Sequence, residues 1–131
     1  MANGIRNHRD LTVWQESVQL AVDCYKTTQG FPAPEQRGLA IQMRRAAVSI
    51  ASNIAEGAAR TSSKEFVQYL YIALGSASEL DTQIEIARKT GLGSEPDIGA
   101  LQASVNGISR MLQGLIKSVK RRSTQSPITD H

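Results

Sequence analysis

Residues 66–87 read FVQYLYIALGSASELDTQIEIA. Within them Phe66, Leu70, Ala73, Leu74, Ala77, Leu80, Ile84 and Ala87 recur every three or four positions. That period lines side chains along one face of an α-helix and does not fit the strict alternation of a strand. A stripe of this length requires an apolar partner, so the rest of the chain is read for matching faces. Ser62 followed three residues later by Glu65 offers a capping box at the helix start, and Gly91 and Gly93 stop it.

Upstream, a second helix is expected to begin near Pro34, which suits a first helical turn. It continues through Leu39, Met43, Ala47, Ile50 and Ile54 and stops near Gly57 or Arg60. Before it, residues from about Thr12 to Gln29 read as a helix, with a Thr12–Gln15 capping box. Its expected core stripe is Trp14, Val18, Ala21, Val22 and Tyr25, and Gly30, Phe31 and Pro32 end it. Downstream, a helix starting near Ser94 or Glu95 carries Ile98, Leu101, Val105, Ile108, Leu112, Leu115 and Val119. Four amphipathic helices joined near residues 30–33, 58–62 and 91–94 predict an all-α, antiparallel up-down four-helix bundle. The domain is expected over residues 10–122, with flexible tails at 1–9 and 123–131.

The composition agrees with one ordinary domain. The chain has 131 residues, 40% of them hydrophobic and 21% charged, which excludes a wholly disordered chain as the default. The one cysteine, Cys24, excludes an internal disulfide and a multi-cysteine zinc finger, and it reads as a buried thiol. No stretch is long and apolar enough to span a membrane, and the start has no signal-peptide core, so a cytoplasmic protein is expected. The net charge of +3 permits nucleic-acid binding without requiring it.

Polar residues form a second pattern. Gln42, Arg45, Ser49, Asn53 and Glu56 fall near one face of the second helix, and Gly75, Ser76, Glu79 and Gln83 have comparable spacing on the third. A buried or interfacial polar network is expected there, with Arg45 and Glu79 as members and Arg44 turned to a neighbouring face. A subunit interface or a surface pocket would use the same arrangement. Gly75 costs about 1 kcal/mol of helix propensity relative to alanine, which close packing would offset. Glu56 and Arg60 form an ordinary pair one turn apart.

Catalytic signals are lacking. His8 and His131 lie in the expected tails, and no HExxH, Walker loop or dinucleotide fingerprint occurs. Without a nucleophile–base arrangement no enzymatic activity is expected, and no cofactor, metal site or small-molecule substrate is identified.

The bundle topology makes a stronger suggestion. An up-down path brings the chain start, the end of the second helix, the start of the third and the end of the fourth to one pole. That pole collects Arg6, Arg9, Arg60, Lys64, Lys117, Lys120, Arg121 and Arg122 against Asp10, Glu56 and Glu65. The opposite pole is nearly balanced, with Lys26, Arg37, Arg88 and Lys89 against Glu35, Glu95 and Asp97. A basic end of this kind suits phosphate contacts, and it equally suits the dipole at the end of a helix. Tyr69 and Tyr71 form no obvious RNA-stacking motif.

The stretch GLAIQMRRAAVSIASNIAEGAAR at 38–60, with YLYIALGSASELDTQIEIA at 69–87, LTVWQ at 11–15 and TTQGFP at 27–32, resembles a known bacterial family. It is the four-helix-bundle family named for proteins encoded in intervening sequences of 23S ribosomal-RNA genes. The resemblance covers nearly all of residues 10–120. It implies a compact four-helix protomer and a homo-oligomer, since some relatives form pentameric rings. A distant branch holds RNA-binding accessory proteins of diversity-generating retroelements. The resemblance brings no catalytic residues. It implies recurring structural or assembly positions at Gln42, Arg44, Arg45, Asn53 and Glu56. Ala51 stands where proline is a familiar variant, so a less kinked second helix is expected. The leading expectation is a noncatalytic oligomeric scaffold that binds RNA or DNA. The alternative is a protein-interaction scaffold with no nucleic-acid contact.

Overall fold

The structure, a computed structural model, describes residues 7–124. Four long helices are present: α1 (Thr12–Gln29), α3 (Leu39–Ala58), α4 (Ser63–Lys89) and α5 (Glu95–Thr124). A one-turn helix α2 (Ala33–Gln36) sits between α1 and α3, and a turn of 3-10 helix, His8–Asp10, precedes α1. No strand occurs among the described residues. Each long helix packs on two neighbours, α1 on α3, α3 on α4, α4 on α5, and α5 back on α1. Neighbours run antiparallel: Gly57 near the end of α3 faces Tyr69 near the start of α4. Lys120 near the end of α5 likewise reaches Tyr71 near the start of α4. The antiparallel up-down bundle is therefore the observed architecture.

The residues of α4 explain its length. Ser62 accepts the Glu65 backbone N–H at 3.2 Å and donates its hydroxyl to Glu65 Oε1, closing the helix start. Phe66, Leu70, Ala73, Ala77, Leu80, Ile84 and Ala87 are all buried, as their spacing predicts. At the far end Gly91 has φ +75°, its N–H bonds Arg88 O, and the Leu92 N–H bonds Ala87 O. This is the left-handed glycine termination, which satisfies carbonyls that the helix leaves open.

Three local expectations are corrected. The second helix is interrupted, because Gly38 adopts ψ −109° and separates the turn at Ala33–Gln36 from α3. From there α3 runs unbroken past Ala51. The first helix begins without a Thr12–Gln15 capping box; Leu11 is its N-cap, and Gln15 instead donates to Arg9 O at 2.7 Å. The stripe of α1 is also displaced by one position. The core takes Val13, Ser17, Leu20, Cys24 and Thr28, leaving Val18, Val22 and Tyr25 exposed. Polar residues enter the core because each hydroxyl finds a carbonyl four residues back. Ser17 donates to Val13 O and Thr28 to Cys24 O, both at 2.7 Å.

The described residues begin at Asn7, and His8 and Arg9 belong to the 3-10 turn against Trp14. Arg6, His131 and Pro127 lie outside the described residues.

Candidate nucleic-acid interface

Helix ends set the electrostatics of the bundle. At one pole the topology gathers, among the described residues, Arg9, Arg60, Lys64, Lys117, Lys120, Arg121 and Arg122 together with Asp10, Glu56 and Glu65. At the other pole Arg88 and Lys89 are paired with carboxylates. Arg88 donates to Glu85 at 2.7 Å and to Glu95 at 3.2 Å, and Lys89 lies 3.9 Å from Glu85. The hydrogen bond that Arg88 donates to Glu85 leads the causes that raise the Arg88 pKa.

The basic side chains divide by what they touch. Lys64 and Lys120 line one groove between the start of α4 and the end of α5, about 540 Å³ in volume. Val67 and Val119 are buried lining residues of that groove, with Gln68 and Tyr71 beside them. Lys120 Nζ donates to Tyr71 Oη at 2.9 Å and lies 5.1 Å from the ring centroid. Arg60 is held differently: it donates to the Tyr69 hydroxyl at 2.6 Å, stacks 4.8 Å from that ring, and lies 3.6 Å from Glu56. Arg9 sits 5.3 Å from the Trp14 ring. Lys117, Arg121 and Arg122 are exposed on the last turns of α5. Three aromatic rings therefore accompany the cations at this pole.

The polar stripe is realised in part. Ser49 and Ser76 share a 2.8 Å hydrogen bond across the α3–α4 seam, and Asn53 donates to Ser49 O and Oγ. Gln83 is buried and donates to Glu79 Oε2 at 3.3 Å, while its own carbonyl oxygen has no partner among the described residues. Gln42, Arg45, Glu56 and Glu79 are exposed in the protomer, and no ion pair joins Arg45 to Glu79. Of the expected buried or interfacial network, the protomer buries neither Arg45 nor Glu79: a long side chain at the helix edge carries its charge to water. Arg44 is the networked arginine. It donates to Thr28 Oγ1 at 2.8 Å and Gln36 Oε1 at 3.2 Å and stacks 5.0 Å from the Tyr25 ring. Gly75 is corrected as well, since a Cβ there meets nothing within 4 Å. It lies two residues, about 200°, from buried Ala73, on the solvent side.

A second concave surface runs between α1 and α3. It measures about 550 Å³ and is lined by Trp14, Val18, Val22, Tyr25, Val48 and Ala51, among others. Val22, Tyr25 and Val48 are each at least 40% exposed, which makes this an apolar face without cover among the described residues.

A family model described as the 23S rRNA-intervening sequence protein matches residues 9–114. The chain belongs to that family. A similar solved structure is a protein of unknown function from the S23 ribosomal protein family of Bacteroides thetaiotaomicron, determined at 1.70 Å. It is 25% identical, with a TM-score of 0.73, over 81% of this chain and 99% of that one. No curated protein matches the chain. Family membership accounts for the bundle and assigns no activity to its poles.

Sequence reasoning missed Tyr71, Gln68, Val67 and Val119 as groove residues. One signal was available: Lys64, Gln68 and Tyr71 stand at i, i+4 and i+7, one face of α4. Their partner Lys120 is 49 residues from Tyr71 and becomes visible only through packing.

Proposed function

We propose that the protein is a noncatalytic, homo-oligomeric helical scaffold that binds RNA or DNA with low sequence specificity through its basic pole. The observation that carries this reading is the excess of cations at that pole, with Lys64 and Lys120 set in one groove. Phosphates are held by such donors with little regard for base identity. The noncatalytic part is supported by Cys24, whose thiol is fully buried and pushed up to about 11 by that burial, with Arg44 opposing. A thiol in that state is a poor nucleophile. No cluster of three metal-binding side chains occurs among the described residues. No described helix is long and apolar enough to cross a membrane, and a cytoplasmic location completes the reading.

The test is a salt-dependent binding curve with matched RNA and DNA, comparing wild type with a Lys120→Gln, Arg121→Gln, Arg122→Gln triple variant. Binding should fall steeply with salt, weaken in the variant, and change little with base sequence. Equal curves for the two proteins would reduce the α5 cluster to a solvated helix end.

Assembly is supported by the apolar α1–α3 groove, which suits close packing against a second copy. A pentamer, the ring implied by the family resemblance, is the expected stoichiometry. Mass determination over a concentration series should give one oligomer, and Val22→Asp should dissociate it while leaving helicity intact. A monomer throughout would reject assembly. The same groove favours the second reading, a protein-interaction scaffold without nucleic-acid contact; a stable ring that binds neither RNA nor DNA would select it.

A further inference from the structure

Point charges explain affinity for a phosphate backbone, but they do not explain the shape or the lining of the α4–α5 groove. Duplex phosphates lie on a convex surface and can be met by exposed side chains such as Lys117, Arg121 and Arg122 without any groove. The groove instead is concave, about 540 Å³, and within the usual size of small-ligand sites. Val67 is 9% exposed and Val119 1%, so its lining includes buried apolar surface that has no chemistry to offer a phosphate. Tyr71, beside them, leaves 48% of its surface open. Lys64 and Lys120 stand with it in the same groove.

A flat apolar ring, an apolar lining and two flanking ammonium groups match a base joined to phosphates. We propose that this groove takes an unpaired nucleotide of a single-stranded nucleic acid, its base stacked on Tyr71 and its flanking phosphates on Lys64 and Lys120. The inference rests on the proposed binding at the basic pole and adds the strandedness and the stacking residue. Stacking tolerates any base, because every base has a π-face, so it keeps sequence specificity low. A duplex cannot offer a base to the groove without opening. The contact between Lys120 and Tyr71 keeps the ammonium at the ring edge, where it can meet a phosphate as the base takes the ring.

The experiment titrates the full-length protein with fluorescein-labelled single-stranded oligoadenylate and oligouridylate, their DNA counterparts, and a duplex of equal length. Wild type, Tyr71→Leu and Tyr71→Phe are compared, with circular dichroism confirming equal helicity. Single strands should bind wild type more tightly than duplex at equal salt. Tyr71→Leu should weaken single-strand binding about 5- to 150-fold, the range for losing one base–aromatic stack, and leave duplex binding unchanged. Tyr71→Phe should retain most of the affinity that Tyr71→Leu loses, since the ring persists and only the hydroxyl contact to Lys120 is removed. A second measurement places a reporter in the groove: Tyr71→Trp in a Trp14→Phe background should lose fluorescence as the base stacks on it. Binding that is salt-sensitive but indifferent to Tyr71→Leu overturns this inference and leaves the basic-pole reading standing. Equal preference for duplex with no quenching of Trp at position 71 overturns it too. No binding to any probe by wild type overturns both readings.

Discussion

Replacing Gly57 with alanine tests how the α3–α4 seam is built. Gly57 is buried near the end of α3, and a Cβ added there falls 2.7 Å from Tyr69 Cβ, 2.9 Å from Phe66 Cδ1 and 3.2 Å from Phe66 O. The ring of Phe66 can rotate, but Tyr69 Cβ and the Phe66 carbonyl are fixed to the α4 backbone, so relief requires the two helices to separate. Overpacking of this kind costs about 1–3 kcal/mol, and the geometry places Gly57→Ala in the upper half of that range. Alanine returns about 1 kcal/mol through helix propensity. The expected net loss is about 1–2 kcal/mol. With a urea m-value of about 1–3 kcal/mol/M, the midpoint should drop by roughly 0.3–2 M at unchanged m. Gly75→Ala is the matched control: its Cβ meets nothing within 4 Å, so the same propensity gain should appear undiminished, up to about 1 kcal/mol. Both variants should be unfolded at one protein concentration, because assembly adds to apparent stability. If Gly57→Ala is as stable as wild type, or if Gly75→Ala loses stability, close approach at Gly57 is not what fixes the seam.

Three further outcomes follow from named contacts. Arg44→Met should destabilise by about 1–3 kcal/mol, since it strands the Gln36 carbonyl and removes the stack on Tyr25, whereas Arg45→Met should stay within about 0.5 kcal/mol by the same urea assay. Cys24 keeps its proton to about 11 in the fold, against 9.0 in an unfolded chain. Its contribution is complete below pH 9 and is lost as pH rises towards 11, by about 2–3 kcal/mol in all. Cys24→Ala should therefore show a shallower loss of stability across that window, and parallel pH profiles would reject the linkage. Ser62→Ala removes the α4 cap and should cost about 0.5–2 kcal/mol in the same denaturation assay, with amide exchange accelerated first at Glu65.

The sequence was most legible where one physical effect acted alone. The stripe of α4 is apolar at every core position except Gln83, so its face, start and end could be read directly from spacing and caps. On α1 two apolar faces compete, about 100° apart. The bulkier one leaves Val18, Val22 and Tyr25 exposed and Trp14 only half-buried, because Ser17 and Thr28 satisfy their hydroxyls locally and can be buried at little cost. Side-chain polarity alone points the wrong way there. Arg44 and Arg45 differ by 100° on one helix, and only the position of Thr28 and Gln36 decides which is held. The basic pole was legible because topology alone brings helix ends together. Its groove was not, because a pair such as Tyr71 and Lys120 depends on the register between α4 and α5.

The order of the seams has a kinetic consequence. Three of the four are made by helices consecutive among the long ones, and each can zip as its connecting turn closes. The α1–α5 seam alone joins distant parts of the chain, and it is also the thinnest of the four. Bundles dominated by near-neighbour contacts fold quickly, and the loop-closure entropy here is concentrated in that last joint. Since the two thinnest seams are both made by α1, it is expected to lift first on opening, which would dismantle the apolar groove it shares with α3 before the α4–α5 groove is disturbed. The two candidate surfaces thus sit on parts of the molecule with different lifetimes.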